Sequence, residues 1–223
     1  MNKISGIRTV CFDIDWTLVN HSENIENDVL RSLGLPPNEQ FNIQVRYFWD
    51  NLSKRLQNGQ KVERNKIYSL ITEMIPFLSE INLSAEEWYF LSDKVDNVEL
   101  IDGAYEILEY LQENGYYIVA STNWFADDQI NVLRKLNILQ FFERIYGWDT
   151  ICAKPHRKAL YSLMSIHSRD SIVFIGDSVY NDINFANKSR IKSIGLNLKY
   201  EERSQHIKPT VHVTDLREIK KYL

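Results

Sequence analysis

The chain has 223 residues, 44% hydrophobic and 25% charged, with a formal net charge of −4 and only 8 Gly and 5 Pro. These proportions exclude disordered, collagen-like and low-complexity chains, and they suit one large domain or one domain carrying a smaller module. The acidic balance gives no general attraction for nucleic acid or an anionic membrane, and no window nears the roughly 20 apolar residues that span a bilayer.

Residues 7–12, apolar, rich in β-branched side chains and ending in acids, predict a buried strand. From about residue 20 to about residue 97 there is no convincing strand pattern. Phe41, Val45, Phe48, Trp49, Leu52 and Leu56 instead recur at helical spacing. So do Ile67, Leu70, Ile71, Met74, Ile75 and Leu78, and more briefly Trp88, Leu91 and Val95. Breaks fall at Gly34-Leu35-Pro36-Pro37 and at Asn58-Gly59. The stretch is far too long for a crossover loop and reads as a small helical module, with Phe41, Phe48 and Trp49 expected in its core. Beyond it, Ala104, Ile107, Leu108 and Leu111 form a helical face stopped by Gly115. A strand over 116–121, a helix bearing Ile130, Leu133 and Leu136, and a weaker strand over 144–146 follow. A helix bearing Leu160, Leu163 and Met164 precedes strands over 171–175, 191–196 and 210–213. Strands alternating with helices imply an α/β fold whose parallel sheet is covered on both faces. Residues 1–19 and 98–223 are expected to form this core, and 20–97 the inserted all-α module. Two cysteines, Cys11 and Cys152, are too few for a disulfide framework, and no apolar leader pattern occurs at the N-terminus; the expected setting is the cytoplasm.

Polar residues gather where the predicted strands end. The first ends in Asp13-Ile14-Asp15-Trp16-Thr17, the 116–121 strand in Ser121-Thr122-Asn123, and the 171–175 strand in Gly176-Asp177-Ser178-Val179-Tyr180-Asn181-Asp182, with Lys154-Pro155 lying between the last two. The carboxyl ends of parallel strands share one edge, and ligands bind there. Four carboxylates on one edge repel each other unless some take up protons or a cation sits among them. All-oxygen ligands favour a hard ion such as Mg²⁺, and the five histidines lack zinc spacing. Pro155 reads as a first helical position, where a preceding lysine opposes the helix dipole unless an anion lies nearby.

These residues resemble the four signature motifs of the haloacid dehalogenase superfamily, in order. The first, Asp-x-Asp-x-Thr, is matched by Asp13, Asp15 and Thr17. The second, a hydroxyl residue commonly followed by Asn, is matched by Thr122 and Asn123, with adjacent Ser121 leaving a one-residue ambiguity. Lys154-Pro155 matches the third, and Gly176, Asp177 and Asp182 match the fourth. The resemblance implies a Rossmann-like core with a helical cap of the superfamily's first class, and a Mg²⁺-dependent phosphatase acting on small phosphorylated metabolites such as sugar phosphates, phosphoglycolate or nucleoside monophosphates. By the same resemblance Asp13 is the nucleophile that forms an aspartyl-phosphate, and Asp15 the general acid and base. Thr122 and Lys154 hold the phosphoryl oxygens. Asp13, Asp177, Asp182 and the backbone carbonyl of Asp15 bind the metal. Asn123, Thr17 and Trp16 are expected near the substrate. Thr17 either steadies the turn or acts directly, and Trp16 either packs under the cap or narrows the leaving-group side. A phosphomutase shares every motif, and a non-catalytic binding protein that kept the fold is the non-enzymatic alternative.

Overall fold

The computed structural model describes residues 3–56, 58–164, 167–198 and 205–223. The chain divides into two compact units: Met1–Asn20, Gln57–Lys61 and Glu99–Leu223 form one, and His21–Leu56 with Val62–Val98 the other.

The second unit is helical. It contains α1 (Ile25–Ser32), α2 (Glu39–Arg55), α3 (Arg64–Met74), α4 (Phe77–Glu80) and α5 (Ala85–Val95). Phe41, Val45, Phe48 and Leu52 bury one stripe of α2 against Ile67, Leu70, Ile71 and Trp88. Phe41 meets Phe77 at 5.3 Å between ring centroids, and Phe48 meets Trp88 edge-on at 6.1 Å. Trp49, expected in that core, is 42% exposed. It follows Phe48 directly, so the helix turns it about 100° away from the buried stripe. The apolar run from Ile67 to Leu78 is two helices, because Pro76 has no N–H to donate and pushes Ile75 out of helical geometry (φ −125°, ψ 65°). α1 lies outside the helices expected from the sequence, since it is only eight residues long and buries only Val29 and Leu30, too few positions to read a helical period from. α5 starts at a capping box in which Ser84 Oγ accepts from the Glu87 N–H and Glu87 Oε2 accepts from the Ser84 N–H. Asp96 ties the two ends of the unit together. Its Oδ2 lies 2.6 Å from His21 Nδ1, and its Oδ1 accepts from the Ser22 N–H at 2.9 Å.

The first unit is a sheet covered by helices. Its elements are β1 (Thr9–Phe12), β2 (Val19–Asn20), β3 (Glu99–Leu100), α6 (Ala104–Glu113), β4 (Tyr117–Ser121), α7 (Ala126–Lys135), β5 (Arg144–Tyr146), α8 (Leu160–Leu163), β6 (Ile172–Gly176), α9 (Asn184–Ser189), β7 (Lys192–Leu196) and β8 (Val211–Val213). Six of the strands form one parallel sheet in the order β5-β4-β1-β6-β7-β8, and β2 pairs with β3 antiparallel. Counted along the chain, the six run 3-2-1-4-5-6, which is the order of a Rossmann-like sheet, the fold class expected from the sequence. β1 lies between β4 and β6, with Phe12 opposite both Ala120 and Ile175. That is the switch point of the winding, where the crossovers on either side part and leave a crevice. Every residue of β1 and β6 is buried, which explains why both read as unbroken apolar runs.

Residues 58–61 group with the sheet unit. Gly59 lies so close to the His156 ring that a Cβ on it would stand 2.5 Å from Cε1. Pro155 differs from its expected place. It lies in a turn, and His156 instead caps the following 3₁₀ turn Arg157–Ala159 by accepting from the Lys158 N–H. No helix dipole therefore starts at Lys154. Among the described residues, no helix is long and apolar enough to cross a membrane.

Candidate active site

The site lies at the carboxyl ends of β1, β4 and β6, all in the sheet unit. The chain leaves β1 at Asp13, whose N–H is still bonded to Ile175 O on β6. It then turns tightly. The N–H groups of Thr17, Leu18 and Val19 all bond back to Ile14 O, and the Trp16 N–H bonds Val19 O. Trp16 takes a left-handed conformation (φ 63°) at the apex and is 50% exposed. Such a φ is unusual for a bulky side chain. On a straight strand Asp13 and Asp15 would face the same way; this turn sends their carboxylates to different partners.

Asp13 meets Lys154. Lys154 Nζ, 1% exposed, donates to Asp13 Oδ1 and to Asp182 Oδ1, each at 2.6 Å, and stands 4.9 Å above the Phe174 ring. Burial works against the lysine's charge, but Asp13 and then Asp182 outweigh it and hold its pKa above the ordinary range. Asp182 reaches the site because a π turn over Val179–Ile183 folds it back, with the Ser178 N–H donating to its Oδ2 at 3.0 Å. Gly176 is required for that approach, since a Cβ there would stand 2.4 Å from Asp182 Oδ2. Asp13, Asp177 and Asp182 each present one oxygen, and these lie within 4.8 Å of one another. Burial, followed by the charge of Asp182, raises Asp13 well above the usual carboxylate range. The same two causes, in the same order, push Asp177 up to about 7. Three clustered acids held this way on an all-oxygen donor set fit a hard divalent cation such as Mg²⁺, whose charge would favour their ionised forms.

Asp15 faces the opposite side. The Thr122 hydroxyl donates to its Oδ2 at 3.3 Å, and Gln129 Nε2 lies 2.9 Å from both carboxylate oxygens. Of the two adjacent hydroxyl residues, Thr122 is the one whose hydroxyl reaches Asp15. Ser121 is the last residue of β4, paired with Tyr146. Gln129 was missed in the sequence. The expected helix face of Ile130, Leu133 and Leu136 is rotated, and the buried residues of α7 are Ala126, Gln129 and Leu133. A glutamine on the apolar stripe of the helix after the Thr122-Asn123 motif was the signal that could have found it.

Thr17 and Asn123, expected near the substrate, each hydrogen-bond within the sheet unit. Thr17 is fully buried. It staples the β1 turn to the β6 turn, accepting from the Asp177 N–H at 3.1 Å and lying within donating distance of Asp177 Oδ1 (3.3 Å) and Asp13 Oδ2 (3.5 Å). Asn123 engages the Lys154 backbone from both ends of its carboxamide. Its Oδ1 accepts from the Lys154 N–H at 2.7 Å and its Nδ2 donates to Lys154 O at 3.2 Å. It places the lysine. Cys11 is a core residue of β1, its thiol pushed up by burial.

Phosphoglycolate phosphatase of Mannheimia succiniciproducens is 28% identical over 204 residues, covering 88% of each chain. The enzyme of the same name from Yersinia pseudotuberculosis is 27% identical over 212 residues, covering 90% of this chain and 85% of its own. Among solved structures, YfnB from Bacillus subtilis bound to magnesium superposes with a TM-score of 0.75 at 19% identity, over 96% of this chain and 97% of that one. A 2-haloacid dehalogenase from Pseudomonas syringae superposes with a TM-score of 0.65 at 20% identity, over 97% of each chain. The family model for haloacid dehalogenase-like hydrolases matches residues 10–196, a span that takes in all four motifs. The chain belongs to the haloacid dehalogenase-like hydrolase family.

Proposed function

We propose that this hydrolase is a Mg²⁺-dependent phosphatase of small phosphorylated metabolites, working through an aspartyl-phosphate on Asp13. One observation carries the reading: the Asp13 carboxylate shares a buried lysine with Asp182 and lies within metal-ligand reach of Asp177 and Asp182. That is how an aspartate is held when it must attack an anionic phosphoryl group. The curated relatives named phosphoglycolate phosphatase, at 26–28% identity, support phosphate-ester hydrolysis and make phosphoglycolate the first substrate to try. Cys11 and Cys152, both free and buried, suit a reducing cytoplasmic setting.

Asp13, Asp177 and Asp182, with the Asp15 carbonyl, would hold the ion, which supplies charge neutralisation and substrate orientation. Lys154 fixes the Asp13 carboxylate and supplies positive charge for the phosphoryl oxygens. Asp13 attacks phosphorus in line while the bond to the leaving oxygen breaks. Asp15 gives that oxygen a proton, then takes one from the water that cleaves the aspartyl-phosphate. Selection among leaving groups is proposed for Trp16, half exposed at the apex of the turn after β1.

The test is phosphate release from phosphoglycolate, sugar phosphates and nucleoside monophosphates, with Mg²⁺ and with EDTA, by wild type and by Asp13→Asn. Release that needs Mg²⁺ and vanishes in the variant is expected. No release from any substrate, or equal release by the variant, overturns the proposal.

A further inference from the structure

We infer that Gln129 is a positioning residue that aims the Asp15 carboxylate at the leaving group, an inference that rests on the reading of Asp15 as general acid. Gln129 is 3% exposed on the buried stripe of α7, between Ala126 and Leu133. Its Nε2 lies 2.9 Å from Asp15 Oδ1 and 2.9 Å from Oδ2, so a single amide group grips both oxygens. The terminal torsion of an aspartate is otherwise soft and roughly two-fold. A donor bridging both oxygens removes that freedom, and the Thr122 hydroxyl on Oδ2 adds a second restraint.

The other end of the carboxamide shows that packing alone does not account for the residue. Gln129 Oε1 is buried and has no hydrogen-bond partner among the described residues. A buried carbonyl left unpaired costs stability, and an apolar side chain of similar length would avoid that cost. Methionine would fill the same space between Ala126 and Leu133. What it could not do is grip Asp15. The position therefore keeps a local stability cost in exchange for the aim of one carboxylate, a trade expected at working sites.

The experiment compares wild type with Gln129→Met. Single-turnover release of the leaving group is followed from 4-nitrophenyl phosphate, whose nitrophenolate needs no proton, and from glycerol phosphate, whose alkoxide needs one. The release rate from glycerol phosphate should fall about 30-fold, the order of loss caused by a misdirected proton donor, while that from 4-nitrophenyl phosphate changes by less than about threefold. KM for both substrates should hold within about twofold. Equal losses on both substrates, or no loss on either, would overturn the assignment. A crystal structure of Gln129→Met decides the matter without turnover. An Asp15 carboxylate rotated from its wild-type orientation supports the inference, and a superimposable one refutes it. The two readings fail separately: wild-type protein without Asp13-dependent phosphate release contradicts the phosphatase proposal, and the crystallographic comparison still judges Gln129.

Discussion

Lys154→Met removes the cation that the structure sets between Asp13 and Asp182. The variant keeps the length and the apolar stem, so the Phe174 contact is largely retained and the lost charge dominates. Each ion pair spans 2.6 Å, and at an effective dielectric of about 20 each is worth about 6 kcal/mol of attraction. Desolvating the lysine and two carboxylates offsets most of that sum. Removing one partner of such a buried set typically costs about 3–5 kcal/mol, because the remaining charges are left uncompensated. In a chain of 223 residues this is a fall of about 6–20 °C in melting temperature. The assay is thermal unfolding of both proteins at pH 8 in EDTA, repeated with saturating Mg²⁺. The fall should be largest in EDTA and smaller with Mg²⁺, which supplies positive charge to the same three acids. A drop of less than about 2 °C in EDTA would show that Lys154 is not the counter-charge of this cluster.

Three further outcomes follow from the geometry. Asp177, with a pKa of about 7 in the fold, holds a proton that the unfolded chain has lost above about pH 4, so metal-free stability should fall as pH rises from about 4 to 7 and then level. Mg²⁺ favours the ionised form and should raise the melting temperature more at pH 8 than at pH 5; equal rises at both would contradict the proton–metal competition. Gly176→Ala puts a methyl 2.4 Å from Asp182 Oδ2 and should cost about 1–3 kcal/mol while weakening Mg²⁺ binding by calorimetry, whereas unchanged binding would mean Asp182 takes no part in holding the ion. Trp16→Gly relieves a left-handed tryptophan at φ 63° and should leave the melting temperature equal or slightly higher, because about 1–2 kcal/mol of strain relief outweighs the entropy lost by glycine. A clear fall would show that the indole's packing outweighs its strain.

Much of this was legible in the sequence because buried parallel strands leave a simple trace. β1 and β6, covered on both faces, are unbroken apolar runs, and their polar successors Asp13 and Asp177 had to emerge at the same sheet edge. What was not legible depended on side-chain direction. Trp49 and Phe48 are neighbours in the chain yet only Phe48 is buried, a difference of one helical step. Thr17 and Asn123 sit within the expected motifs, but their hydrogen bonds go to the Asp177 N–H and the Lys154 backbone, and no spacing rule encodes that. Gln129 lay outside every motif. Only its place on the stripe of Ala126 and Leu133 marked it, and the partner that explains it is 114 residues away in sequence.

The central claim is that Asp13 carries the phosphoryl group during turnover. Protein mixed with Mg²⁺ and substrate, quenched in acid within a turnover and digested, should yield the Asp13 peptide heavier by one phosphoryl group, with the label on Asp13 and absent from Asp13→Asn. Steady hydrolysis with that peptide never labelled, or with the label on another residue, would contradict the account.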